Sequence, residues 1–197
     1  KFVDSVFKIV VNEGDSCTNM TCQNEGVCHD INDDFQCDCV HPFGGKQCEL
    51  NCTGNSLGVQ DPLMISEAQV TAYKTYNGYA ASNGRLNNAY GWIGMGTGSY
   101  LQIDFKNKTM LHSVIMQGVN STYYTESYLI TYSLDGNHFD TVSDLRGDVW
   151  KGNGGINIYK TDLVQPVEGR FFRVYPLIWK AASNPGMRIE MFGCYVL

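Results

Sequence analysis

Tyr100-Leu-Gln-Ile-Asp-Phe105 and Met187-Arg-Ile-Glu-Met-Phe192 decide the fold. Leu101, Ile103 and Phe105 in the first stretch, and Met187, Ile189 and Met191 in the second, alternate with mostly polar residues. A period of two sends every second side chain to the same side of an extended strand, so one face is apolar and the other wet. Three further segments are strand-like: Ser113-Val-Ile-Met116, Tyr128-Leu-Ile-Thr-Tyr132 and Phe171-Phe-Arg-Val-Tyr175. Polar, glycine-rich spacers separate the five, and no amphipathic helical period competes with them. The chain is therefore expected to be mainly β, a sandwich or barrel of antiparallel strands.

Cys52 precedes these strands and Cys194 closes them, with 141 residues and no other cysteine between. A bridge joining the two would pin the ends of the sandwich together. In the chain-entropy model a loop of that length contributes about 4–5 kcal/mol. The other six cysteines, Cys17, Cys22, Cys28, Cys37, Cys39 and Cys48, are spaced C-x4-C-x5-C-x8-C-x-C-x8-C. Zinc sites favour paired C-x2-C spacings, which are absent. Six cysteines in so short a stretch suit a small module that lacks a core and is held by disulfides. Spacing alone leaves about fifteen pairings open.

With 197 residues, of which 43% are hydrophobic, one or two domains are expected. No run of 18 apolar residues exists to span a bilayer as a helix. The opening Lys1-Phe-Val-Asp-Ser-Val-Phe-Lys-Ile-Val-Val11 is too interrupted by charge for a signal-peptide core, and reads as the start of a mature form or a fragment. The net charge of −6 lies in residues 1–51, where three Lys/Arg face nine Asp/Glu; residues 52–197 carry eleven of each. No basic excess points to nucleic acid or to an anionic surface. An even count of eight cysteines, together with Asn-x-Ser/Thr sites at Asn19, Asn51, Asn107 and Asn120, points to a secreted or cell-surface glycoprotein. His29, His41, His112 and His138 are scattered, and no nucleophile elbow, zinc-protease motif or phosphate loop is present. Gly94-x-Gly96-x-Gly98 lacks the spacing and the following helix of a phosphate cradle. No enzyme is expected.

Gly84-Arg-Leu-Asn-Asn88, Trp92, Leu101-Gln-Ile-Asp-Phe105, Gln117-Gly118, Tyr132-Ser-Leu-Asp-Gly136, Gly152-Asn153, Phe172-Arg-Val-Tyr-Pro176, Trp179 and Arg188-Ile-Glu-Met-Phe-Gly-Cys194 follow one another in an order that resembles discoidin domains, the C-type domains of coagulation factors V and VIII. The resemblance spans 52–194 and implies an eight-stranded jelly-roll barrel whose ligands bind loops projecting at one end. It makes Trp92, Trp150 and Trp179 core residues, and Arg85 and Glu190 a buried structural pair. The first projecting loop would carry Lys74, Tyr76, Asn77 and Tyr79, with Tyr73 turned inward; the third would carry Tyr123 and Tyr124. Tyrosines suit a protein or a glycan, each having an apolar ring and a polar tip. Phosphatidylserine recognition is the alternative. It is demoted because Asn120 places a sequon in the third loop, where a glycan would hold a bilayer off.

Residues 17–48, including Cys37-Asp-Cys39-Val-His-Pro-Phe43, resemble an EGF-like module. That resemblance implies Cys17–Cys28, Cys22–Cys37 and Cys39–Cys48 bridges and two small hairpins. Together the two modules give the layout of lactadherin-type proteins. Some EGF-like modules bind calcium, and two readings stand here. Either Asp30 joins Glu13 and Asp15 as ligands, or the acids of this region only solvate a hairpin, the acidic lead-in before Cys17 being imperfect. Arg146-Gly147-Asp148 lies in a polar turn and adds an integrin as a second expected partner, with chance occurrence as the competing reading. The expected organisation is a tail or linker at 1–16, the EGF-like module at 17–48, a short linker at 49–51, the discoidin domain at 52–194 and a tail at 195–197. Adhesion or recognition of an extracellular protein or glycan is the expected role, with a structural part in a self-assembling extracellular array as a further alternative.

Overall fold

The computed structural model describes residues 17, 22–31, 34–40, 42–143, 147–152 and 154–196. The strands are β1 (Val27–Ile31), β2 (Asp34–Asp38), β3 (Phe43–Gly44), β4 (Leu50–Asn51), β5 (Val70–Tyr73), β6 (Trp92–Ile93), β7 (Tyr100–Gln117), β8 (Thr125–Ser133), β9 (Asp140–Thr141), β10 (Trp150–Lys151), β11 (Ile158–Trp179) and β12 (Gly186–Tyr195). Among the described residues the helical pieces are two short 3-10 turns, Glu67–Gln69 and Ala81–Gly84.

Eight strands make one antiparallel sheet in the order β10-β8-β11-β7-β12-β6, with β5 added to β7 and β9 to β8. The first half of β7 pairs with β5 and its second half with β12, while β11 follows β7 along both halves. Register shifts at Asp162/Val167 and Gly169/Phe171 interrupt the pairing of β11 with β7, and the sheet encloses a single apolar core. Leu101, Ile103 and Phe105 face that core from β7, Phe172 and Val174 from β11, and Met187, Ile189 and Met191 from β12. All five strand-like segments of the sequence lie in this sheet, and the jelly-roll class is the observed one. Cys52 is bonded to Cys194 across 142 positions, which ties the sandwich's first strand-side segment to its last strand.

Before the sandwich, β1 and β2 form one antiparallel hairpin and β3 pairs with β4. Cys17–Cys28, Cys22–Cys37 and Cys39–Cys48 are bonded. Leu50 and Asn51 of the short linker pair with Gly44 and Phe43, so the junction is hydrogen-bonded strand.

Three expectations are corrected. Tyr73 points outward and is 53% exposed, because Val70 and Ala72 take the inward positions of β5. Trp179 is only half-buried, its Nε1 donating to Ser183 O at 3.0 Å; the register of β11 against β8 slips twice between Pro176 and Trp179, which breaks the alternation there. Arg85 and Glu190 are both buried but do not bond each other. Arg85 donates to Val59 O and Ile65 O, while the Glu190 carboxylate accepts from Val59 N and Gln60 N, so the two hold the 59–65 segment from different sides.

Candidate functional site

The loops 74–80, 87–99, 118–124 and 180–185 meet at one end of the sandwich because their flanking strands do. Tyr76 N donates to Ile93 O at 2.8 Å, Met95 N to Lys74 O at 2.6 Å, and Gly94 N to Pro185 O at 2.9 Å. Buried Trp92 anchors the first loop from below, its Nε1 donating to Thr75 Oγ1 at 3.0 Å. Tyr79 N reaches back to Tyr76 O, and Gly78 at φ +87 supplies the left-handed turn at the tip that a side chain would strain. Gly91 lets the second loop close on the third: a Cβ there would stand 2.3 Å from Val119 Cγ2. In the third loop the Asn120 Oδ1 accepts from Thr122 N and Tyr123 N, at 2.8 and 2.9 Å, fixing a tight turn. Lys180 Nζ donates to Ser121 O, joining the last loop to the third.

Arg188 braces this end from beneath. Its guanidinium donates to Asn88 O, Gly118 O and Val119 O, one donor group serving two loops. Among the described residues no carboxylate lies within ion-pair distance, and burial pushes its pKa below the ordinary value. Arginine stays protonated even so, so the loops sit over an uncompensated positive charge.

The structure joins three of the sequence-selected residues. The Tyr76 and Tyr79 rings lie 6.1 Å apart and those of Tyr79 and Tyr123 6.4 Å apart, a continuous aromatic run from the first loop to the third. Tyr76 and Asn77 are exposed; Tyr79 and Tyr123 are half-buried. Tyr124 is half-buried against Gly118 and makes no ring contact with the run. Lys74 leans away from it, its Nζ donating to Thr97 O at 3.1 Å and lying 5.7 Å over the Tyr73 ring. Sequence reasoning missed Tyr90 and Met95, which are 68% and 55% exposed on the second loop. Asn88, whose Oδ1 accepts Tyr90 N, is the one local signal that the chain turns there and presents the ring. The four loops hold two charged side chains, Lys74 and Lys180, and no carboxylate.

The remaining candidates are spread over the molecule. Gly147 and Asp148 are exposed between β9 and β10, and Arg146 lies outside the described residues. Asn51, Asn107 and Asn120 are exposed; Asn19 lies outside the described residues. Of the calcium candidates, Glu13 and Asp15 also lie outside them. Asp30 is exposed, and its Oδ1 accepts Cys17 N at 3.1 Å. One carboxylate, partly committed to the backbone, does not by itself supply the several oxygens calcium needs.

A family model for the F5/8 type C domain matches residues 66–191. Lactadherin of Rattus norvegicus is 26% identical over 214 aligned positions, covering 94% of this chain and 49% of that protein. Neuropilin-2 of Mus musculus is 28% identical over 171 positions, covering 77% of this chain and 18% of that protein. The chain thus spans about half, or less, of the relatives it matches. Discoidin II of Dictyostelium discoideum superposes with a TM-score of 0.61 at 15% identity, over 73% of this chain and 60% of that one. The family 32 CBM from C. perfringens NanJ, solved in complex with galactose, superposes with a TM-score of 0.51 at 12% identity, over 65% of this chain and 96% of that one. At such identities the two superpositions speak for the fold alone.

Proposed function

Because the chain belongs to the F5/8 type C domain family, we propose that it is an extracellular recognition protein that binds a protein or glycan through the loop end of its sandwich. One observation carries this reading: the Tyr76–Tyr79–Tyr123 run is assembled from separate loops that lack any carboxylate, and Tyr90 is exposed on another of them. Such rings offer contact area with little side-chain entropy to lose, and their hydroxyls remain free for polar contacts. Lys180 beside the third loop favours a partner with acidic groups. Four disulfides agree with an oxidising, extracellular location. No helix among the described residues is long and apolar enough to cross a membrane. No catalysis is assigned to this end, which holds no acid–base pair.

The same reading takes residues 17–48 as an EGF-like module, with calcium bound only if Asp30 acts together with Glu13 and Asp15. It takes Arg146-Gly147-Asp148 as a second contact, for an integrin; exposure of Gly147 and Asp148 supports this. A phosphatidylserine surface is the second reading. Exposed Met95 on the second loop favours it, whereas a glycan on Asn120 would oppose it.

The test applies the full chain to an array of glycans and extracellular proteins and, in parallel, to vesicles with and without phosphatidylserine. The reading predicts array binders whose affinity falls about tenfold or more in Tyr76→Ala/Tyr123→Ala, as for aromatic hot spots elsewhere. Sedimentation that requires phosphatidylserine, with an empty array, would replace it by the lipid reading. Asp148→Glu should abolish integrin-dependent cell adhesion; unchanged adhesion would remove the integrin contact alone.

A further inference from the structure

A second assembly of aromatic and cationic side chains lies on the outer face of the sheet, where β5 and β7 meet the first two loops. Antiparallel register places Tyr73 of β5, Tyr100 of β7 and Tyr175 of β11 side by side, and Thr71, Gln102 and Arg173 in the next row. The Tyr73 and Tyr100 rings stack at 5.7 Å, and those of Tyr100 and Tyr175 lie 5.0 Å apart. The Arg173 guanidinium is held between rings, 4.5 Å from the centroid of Tyr100 and 3.6 Å from that of Phe139. Its Nε donates to Gln102 Oε1 at 2.7 Å, and Gln102 in turn donates to Thr71 Oγ1. Lys74 closes the row over Tyr73.

Arg173 is thus fixed in orientation without being neutralised. Among the described residues its two terminal nitrogens have no hydrogen-bond or carboxylate partner, and they are not sealed from solvent. The acids nearest in the sheet are already engaged: Asp104 by Arg170 and Lys106, Asp135 by His138. Asp140, in register with Tyr132, belongs to the opposite face. A planar guanidinium with free donors pairs with carboxylate or sulfate in a two-pronged fashion. Two strand spacings of about 4.8 Å across, and three residues of about 3.3 Å along the strand from Thr71, separate Arg173 from Lys74, so their backbones stand on the order of 14 Å apart along an aromatic strip. The geometry points to a second ligand surface, Tyr73–Tyr100–Tyr175 with Lys74 and Arg173, for a linear acidic polysaccharide. Its spaced anions meet the two cations while its sugar rings and hydroxyls meet the tyrosines, Gln102 and Thr71.

The full chain is titrated with heparin oligosaccharide and with polygalacturonate, neutral dextran serving as control. Both polyanions should bind, weaken at raised salt, and outbind dextran. Arg173→Gln should lower their affinity about tenfold, and Arg173→Lys should fall between it and the parent. Tyr73→Ala, at an exposed position of the edge strand β5, should lower affinity several-fold while lowering the melting temperature only slightly. Tyr76→Ala/Tyr123→Ala should bind the polyanions as the parent does. Parent-like binding by both Arg173→Gln and Tyr73→Ala would overturn the assignment. So would loss confined to the loop variant, equal binding of dextran, or Arg173-dependent binding of anionic vesicles with none of polysaccharide.

Discussion

Residues 22–48 and the sandwich are stabilised in opposite ways. In the first, Phe35 and Cys48 are the only buried residues among those described, and three disulfides lie in or at the edge of the segment. In the second, a cluster of 21 buried side chains is backed by one disulfide. A short chain cannot bury enough surface to offset the entropy of ordering it, so its cross-links must lower the entropy of the unfolded state instead. The sandwich can bury enough, and it is the sandwich that carries the converging loops. Recognition loops need a rigid scaffold beneath them.

Reduction should separate the two regions most sharply. With the disulfides opened, strand protection at β1 and β2 should vanish in hydrogen exchange, whereas β7, β11 and β12 stay protected. The 142-position loop closed by Cys52 and Cys194 still matters: Cys52→Ala/Cys194→Ala should cost about 4–5 kcal/mol in denaturant unfolding. Simultaneous loss of both regions on reduction would break the comparison. Next in size is Phe172→Ala in the fully buried core, expected to cost about 3–5 kcal/mol. Phe35→Ala, at the edge of a hairpin, should cost about 1 kcal/mol; equal costs would mean the cysteine-rich segment has a core of its own.

The strands were legible where alternation ran long enough. Leu101/Ile103/Phe105 and Met187/Ile189/Met191 marked the inner face directly, and β5 carried the same signal in Val70 and Ala72, which should have placed Tyr73 outside. β6, β9 and β10 are two residues each, too short for any period to show. The loop end was legible only in part. Tyr76, Tyr79 and Tyr123 are 3 and 44 positions apart in sequence, and a tilted ring run between them exists only after folding. Arg188 was visible as part of a motif, but not its task, because its partners are backbone carbonyls 69–100 positions away.

That task supplies a sharper test of the scaffold. Arg188→Met should leave three carbonyls without their shared donor and cost about 1–3 kcal/mol, with faster exchange at 87–91 and 118–124 while β1 and β2 are unaffected. The smallest effect expected is a pH dependence in the sandwich. Burial alone would raise the Asp104 pKa, but hydrogen bonds from Arg170 and Lys106 overcome it and hold the group at about 2. A carboxylate depressed in the folded state stabilises above its unfolded pKa and loses that contribution as pH falls toward the folded value. The melting temperature should therefore decline between about pH 4 and pH 2, and Asp104→Asn should flatten part of that decline.

The division of labour between the two regions is tested most directly by a footprint. Hydrogen exchange of the full chain is compared with and without the strongest binder from the array. The account predicts new protection at 74–80, 87–99 and 118–124, and none at 22–40. Protection confined to 22–40, with the loops exchanging as in the free chain, would contradict it.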